Sequence, residues 1–257
     1  MNRYSLLFFT SALLIASLAC SSLSRVKAPD PVISNEVTQI VEIPTSAPAP
    51  TEQPTAIPQP TAIPPTIGPL EFFTEEFDAN SSQDNWMHFS EGSGKESNLR
   101  IEQEGEGLTF DLGALDLYLY YIYTPHMYKD TKLTIVAENQ GVNNNNVSLV
   151  CRMSSDNSEW YEYSFESGGV WYLYAYNGGY NVLDNGGSND LKQGKAINEY
   201  GMTCEDNVIT MYINGKMLKS YTDRTYRFNE GKVGFNISSL NVLPVIVNVK
   251  SFDITEP

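Results

Sequence analysis

Apolar and polar residues follow three different regimes along this chain. Residues 6–18 form a mostly apolar run, of signal-peptide length and too short to span a bilayer comfortably. Residues 26–69 have no periodicity. From residue 70 onward, apolar and polar positions alternate with period two in short stretches: 98–103, 107–112, 116–124, 131–138, 147–153, 160–165, 170–176, 200–204, 208–213, 216–222, 232–237 and 245–254. Alternation of this kind predicts half-buried strands. Turn residues punctuate them, among them Glu104-Gly105, 143–146, Gly168-Gly169, Gly178-Gly179, 185–188 and Asn214-Gly215. No stretch holds a helical period. The pattern predicts an all-β fold, a two-sheet antiparallel sandwich.

Two hairpins can be read directly. Residues 209–213 and 216–219 flank Asn214-Gly215, the pair that a type I′ turn prefers because both central residues need positive φ. Residues 160–165 and 170–176 flank a turn over 166–169. A two- or four-residue connection there pairs Phe165 with Val170, Tyr163 with Tyr172 and Tyr161 with Tyr174. One face then carries Tyr161, Tyr163, Phe165, Tyr172, Tyr174 and Tyr176. The other carries Trp160, Glu162, Ser164, Trp171 and Leu173.

Charge and composition narrow the function. Sixteen Lys and Arg stand against 31 Asp and Glu, for a formal net charge of −15. No basic stripe is present to meet a phosphate backbone, which excludes nucleic-acid binding, and no polybasic patch attracts anionic lipid. Near the N-terminus, Arg3, the apolar run and Ser17-Leu18-Ala19-Cys20 resemble a bacterial lipobox, although the Leu stands one place later than in the commonest form. The resemblance implies cleavage before Cys20 and acylation of its thiol, and two acyl chains anchor stably where one is marginal. The alternatives are an ordinary signal peptide cut after Ala19 and an uncleaved anchor. Residues 26–69 are rich in Pro and Thr, with Pro-Thr-Ala-Ile-Pro at 54–58 and again at 60–64. Proline fixes φ and removes a donor, so this segment reads as a polyproline-like spacer at about 3.1 Å per residue; a Pro-rich recognition ligand is the alternative. The expected divisions are a lipoprotein signal peptide over 1–20, a disordered stalk over 21–69 and a β-sandwich domain over 70–257. The expected location is extracytoplasmic, on the membrane through the acyl anchor.

Several elements fall in a recognisable order. Glu75-Glu76-Phe77-Asp78 is followed by Trp86, Cys151-Arg152, the aromatic hairpin, Thr203-Cys204, 211–215 (Met-Tyr-Ile-Asn-Gly), 231–235 (Gly-Lys-Val-Gly-Phe) and Phe252-Asp253. This order resembles the concanavalin A-like, laminin-G-like jelly roll of bacterial surface lipoproteins, and is similar to the group labelled 3-keto-disaccharide hydrolase. The resemblance implies the fold. It does not specify chemistry, because the fold hosts lectins, glycanases and adhesive modules.

Cys151 and Cys204 lie in predicted strands. In an oxidising compartment they are expected to form a disulfide between neighbouring strands; two buried free thiols are the alternative. No set of N and S ligands has zinc spacing. His88 and His126 stand apart from any triad-like motif. Asp184-Asn185, Asn189-Asp190 and Asp206-Asn207 offer oxygen ligands for Ca²⁺, but Asx-rich turns are ordinary in β proteins, and no cofactor is expected. Retaining glycanases of this fold carry Glu-x-Asp-x-Glu on one strand face; no such motif is read here, and the acids at 75–78 lack its spacing. The sixteen tyrosines and three tryptophans remain the most informative feature, since flat rings flanked by polar groups suit sugars. Trp160, Glu162, Trp171 and Arg152 form the candidate ligand patch, with ordinary packing the alternative. The tyrosine face reads as core. The expected function is non-catalytic binding of a glycan or another extracellular polymer. A glycoside-processing enzyme and a purely structural or adhesive module are the alternatives.

Overall fold

The computed structural model describes residues 68–257 apart from 104 and 143–144, so Cys20, the signal segment and the stalk lie outside the described residues. Fifteen strands in the described region form two antiparallel sheets. The first runs β13 (Lys216–Thr222), β12 (Val208–Ile213), β11 (Ile197–Glu205), β6 (Thr131–Asn139), β15 (Val245–Thr255), β4 (Leu108–Leu112) and β3 (Leu99–Gln103), with β1 (Phe73–Glu75) also on β15. The second runs β10 (Tyr180–Gly187), β9 (Val170–Asn177), β8 (Glu159–Glu166), β7 (Asn145–Met153), β14 (Gly231–Ser239), β5 (Leu117–Tyr128) and β2 (Trp86–Gly92). The expected two-sheet jelly roll is present.

Twelve of these strands coincide closely with the alternating stretches. The type I′ turn is also found, with φ of 49° at Asn214 and 76° at Gly215. Strands β2 and β10 have no counterpart among those stretches, and neither does β1, which ends on Glu75, the first residue of the acidic stretch at 75–78. β10 was hidden by its own composition: Gly178-Gly179 and the Asn and Gly at 185–187 read as punctuation, yet they border or belong to a strand paired with β9.

The core lies between the sheets. Leu133, Ile135 and Phe252 from the first sheet meet Leu149, Tyr163 and Phe235 from the second, all fully buried. Cys151 on β7 and Cys204 on β11 are joined by a disulfide. Their strands belong to opposite sheets, so the bridge crosses the core and does not staple neighbours within one sheet. Closing a chain separation of 53 residues contributes about 4 kcal/mol in the chain-entropy account.

The two sheets treat their outer faces differently. Burial on β6 and β12 alternates strictly, as for a sheet with one face in water. Nearly every residue of β7, β8 and β14 is buried, on both faces. Asn236 and Ser238 point outward from β14 but are at most 2% exposed, because taller side chains on neighbouring strands close over them. At the far end of β5 the chain enters the domain: Tyr123 Oη donates to the Leu70 carbonyl at 2.8 Å and Tyr128 Oη to the Glu71 carbonyl at 2.5 Å.

Candidate functional site

The turn of the β8–β9 hairpin decides which side chains reach the outer face of the second sheet. Phe165 pairs with Trp171, Tyr163 with Leu173, Tyr161 with Ala175 and Glu162 with Tyr174. The connection is Ser167-Gly168-Gly169, three residues, with Gly169 at φ 97°. An odd connection shifts the register by one from the expected pairing, and a one-residue shift exchanges the faces of a whole strand. Trp171, Leu173 and Ala175 therefore join Tyr161, Tyr163 and Phe165 in the core, while Tyr172, Tyr174 and Tyr176 share the outer face with Trp160, Glu162 and Ser164.

The four candidate ligand residues are thereby separated. Trp160 and Glu162 stand on the outer face, and Trp171 lies between the sheets, 5% exposed. Arg152 sits at a left-handed position, φ 55°, and its guanidinium turns away from that face. Its Nε donates to the Lys129 carbonyl (3.0 Å), Nη1 to the Phe228 carbonyl (2.9 Å) and Nη2 to Asp130 Oδ1 (3.3 Å). The expected four-residue patch is not one surface. Trp160 is itself covered, stacked on Tyr176 at 3.8 Å between ring centroids and 8° between planes.

The outer face instead holds a cavity of about 310 Å³. Tyr118 of β5, Tyr172 and Tyr174 of β9 and Tyr180 of β10 provide its rings. Tyr172 and Tyr174 stack at 5.5 Å, and Tyr180 meets Tyr174 edge-on at 5.3 Å. Glu162, Ser164 and Glu166 enter from alternate positions of β8, with Asn146, Ser238 and Leu240 beside them. The strand thus carries Glu-x-Ser-x-Glu, a row related to the glycanase motif but with Ser at its centre. Glu166, read in the sequence as part of the turn, could have been found by continuing the period-two alternation from Glu162. Tyr118 and Tyr180 required knowing that β10 pairs with β9 and that β5 lies in the same sheet beyond β7 and β14.

Glu162 is the best-held polar group here. Its Oε2 accepts from Tyr120 Oη at 2.7 Å and from Trp160 Nε1 at 3.1 Å, and Tyr120 Oη is also hydrogen-bonded to Tyr180 Oη. Burial pushes the Glu162 carboxyl above the ordinary range, against the pull of its hydrogen bonds. Burial also raises Glu166. Tyr118 is pushed up to about 12 by burial and by its bond to Asp116. Burial likewise raises Tyr174 and Tyr180, so these three hydroxyls stay protonated. Asn146 Oδ1 and, deeper, Asn236 Nδ2 are buried without hydrogen-bond partners. Among the described residues no three His, Cys, Asp or Glu side chains are placed to hold a metal ion.

No protein-family model matches the chain, and no curated protein matches it. Solved structures do. A Bacillus subtilis protein of unknown function with a galectin-like fold superposes with a TM-score of 0.57 at 13% identity, covering 72% of this chain and 94% of that one. The fold is a galectin-like jelly roll. A Bacillus licheniformis β-glucanase matches with a TM-score of 0.54 at 15% identity, over 72% of this chain and 98% of its own. A glycoside hydrolase family 16 endo-glucanase from Bacteroides ovatus gives 0.54 at 9% identity, over 71% and 99%. At these identities the jelly roll shares architecture with its neighbours, and chemistry has to be argued from its own side chains.

Proposed function

We propose that the sandwich binds carbohydrate in the tyrosine-walled cavity of its second sheet, on a protein held outside the cytoplasmic membrane by an acylated Cys20. The carrying observation is the convergence of four tyrosine rings with Glu162, Glu166, Ser164 and Asn146 around about 310 Å³. Ring faces receive sugar C–H surfaces, and the carboxylates and amide receive hydroxyls. The volume lies at the small end of ligand sites, about 300–1,000 Å³, and fits one or two sugar rings with the rest of a polymer outside. The buried, unpartnered Asn146 oxygen is an acceptor that a hydroxyl would satisfy. Two of the fold neighbours are glucanases, which makes β-glucans the first class to screen.

The test is a glycan array probed with the full-length chain. The expected result is selective binding that falls at least tenfold in Tyr174→Ala, about 1.4 kcal/mol or more. A wild-type chain that retains no glycan, or a variant that binds equally, overturns the proposal.

The row Glu162-x-Ser164-x-Glu166 favours one second reading, a glycoside-processing enzyme. The two acids keep the i, i+4 spacing of the glycanase row, but Ser164 stands where that row has its central Asp. Glu162 also spends Oε2 on two protein donors. Both facts weigh toward binding; release of reducing ends from the bound glycan, abolished by Glu166→Gln, would decide for catalysis.

A further inference from the structure

The cavity has a charge character that neutral-sugar binding does not require. Two carboxyl side chains line it, and no Lys or Arg does. None of the ion pairs among the described residues uses Glu162 or Glu166, and Glu166 makes no side-chain hydrogen bond within the described protein. Buried acids are ordinarily paired with a cation; here none of the described basic groups lines the cavity or pairs with either acid. The remaining wall is tyrosine, and the face of an aromatic ring attracts a cation within about 6 Å of its centroid.

We propose that the sugar unit taken into this cavity carries a free, protonated amine. The inference rests on the carbohydrate reading above and adds the substrate class. The amine sits at Glu166 against the faces of Tyr172 and Tyr174, with the more deeply buried Glu162 adding to the negative character of the cavity, while the ring hydroxyls meet Ser164 and Asn146. An ammonium supplies the countercharge that the protein withholds, and so relieves the burial that raises both carboxyls. A uronate or a phosphate-bearing glycan is rejected, because its charge would meet two carboxylates in a site with no basic group. An N-acetylated sugar loses the charge and gains bulk.

The experiment uses the full-length chain on an array bearing gluco- and galacto-configured oligosaccharides, each in neutral, N-acetyl, free-amine and uronate forms. Because the chain carries a net charge of −15, binding is measured at about 0.15 M salt, where charges beyond about 8 Å are screened. The expected result is that free-amine forms bind at least tenfold tighter than their neutral counterparts and that uronates are not retained. Glu166→Gln, at a partly exposed position with no structural bonds to lose, should cut the amine-to-neutral ratio at least fivefold. Neutral or N-acetyl forms binding as tightly as the amine would overturn the amine selection and leave the carbohydrate reading standing. An amine preference unmoved by Glu166→Gln also overturns it, by assigning the preference to general attraction. If no sugar in any form is retained, the carbohydrate reading fails and takes this inference with it.

Discussion

Asp223 shows how much one side chain can organise. It is 1% exposed and follows β13, where its carboxylate accepts Tyr161 Oη at 2.5 Å and the backbone N–H groups of Thr225, Tyr226 and Arg227. Tyr161 Oη in turn accepts the Phe228 N–H at 3.2 Å, and the Phe228 carbonyl accepts from Arg152. Burial works to raise the Asp223 carboxyl, but these hydrogen bonds outweigh it and hold the group below its ordinary value. A depressed folded value means stability that is present above the unfolded value of about 4 and lost as pH falls through the folded one. Asp223→Asn is expected to cost about 2 kcal/mol in urea unfolding near neutral pH, with the gap to wild type closing toward about pH 3; a gap that stays constant with pH would contradict the assignment. Single residues also set what could be read early. Cys151, Cys204 and Asn214-Gly215 announce themselves because each has few physical uses in a β protein. Arg152 was legible as a position but not as a role: a guanidinium beside aromatic strands looks the same in sequence whether it meets a ligand or three partners in its own loops.

At the scale of elements, the hairpin from Glu159 to Asn177 carries the difference between expectation and structure. Alternation located both strands to within a residue or two, because it is dictated by burial on each strand alone. It could not fix how the two strands pair, since Glu166 to Gly169 accommodates an odd or an even connection with similar turn chemistry. The face assignment of Tyr172 and Tyr174, and with it the cavity, hung on that count. Gly169 closes the three-residue connection at φ 97°, and Gly169→Ala puts a Cβ at this left-handed position, 3.0 Å from the Ser188 carbonyl oxygen. Strain there is expected to cost about 2 kcal/mol, about 4–8 °C in Tm for a domain of this size. Thermal unfolding checks this, and a variant melting within a degree or two of wild type would show that the turn bears no such strain. β10 stayed unread for a related reason: it is an edge strand rich in Gly and Asn, held by pairing with β9 more than by its own apolar content, and it brings Tyr180 to the site.

For the whole molecule, fold class was legible because two sheets packed face to face impose alternation on nearly every strand, and the disulfide between β7 and β11 ties those sheets together across the core. The cavity was not legible, since its lining comes from six strands, β5, β7, β8, β9, β10 and β14, spread from Tyr118 to Leu240. The proposed anchor belongs to this scale too. In that proposal Cys20 carries the acyl chains, and Cys20→Ser is expected to move the protein from the membrane fraction to the soluble fraction, with loss of the acyl mass from the N-terminal peptide. Membrane retention without that mass would point to the uncleaved apolar segment.

The entry of the chain beside Tyr123 and Tyr128 has a practical bearing. Tyr118, at the cavity, lies five residues up the same strand from Tyr123, about 17 Å away. Leu70 and Glu71, near the start of the described residues, therefore stand at the opposite end of β5 to the tyrosine-walled cavity. A domain that begins at Gly68 and is coupled to a sensor chip there is expected to keep its tyrosine mouth open to sugars.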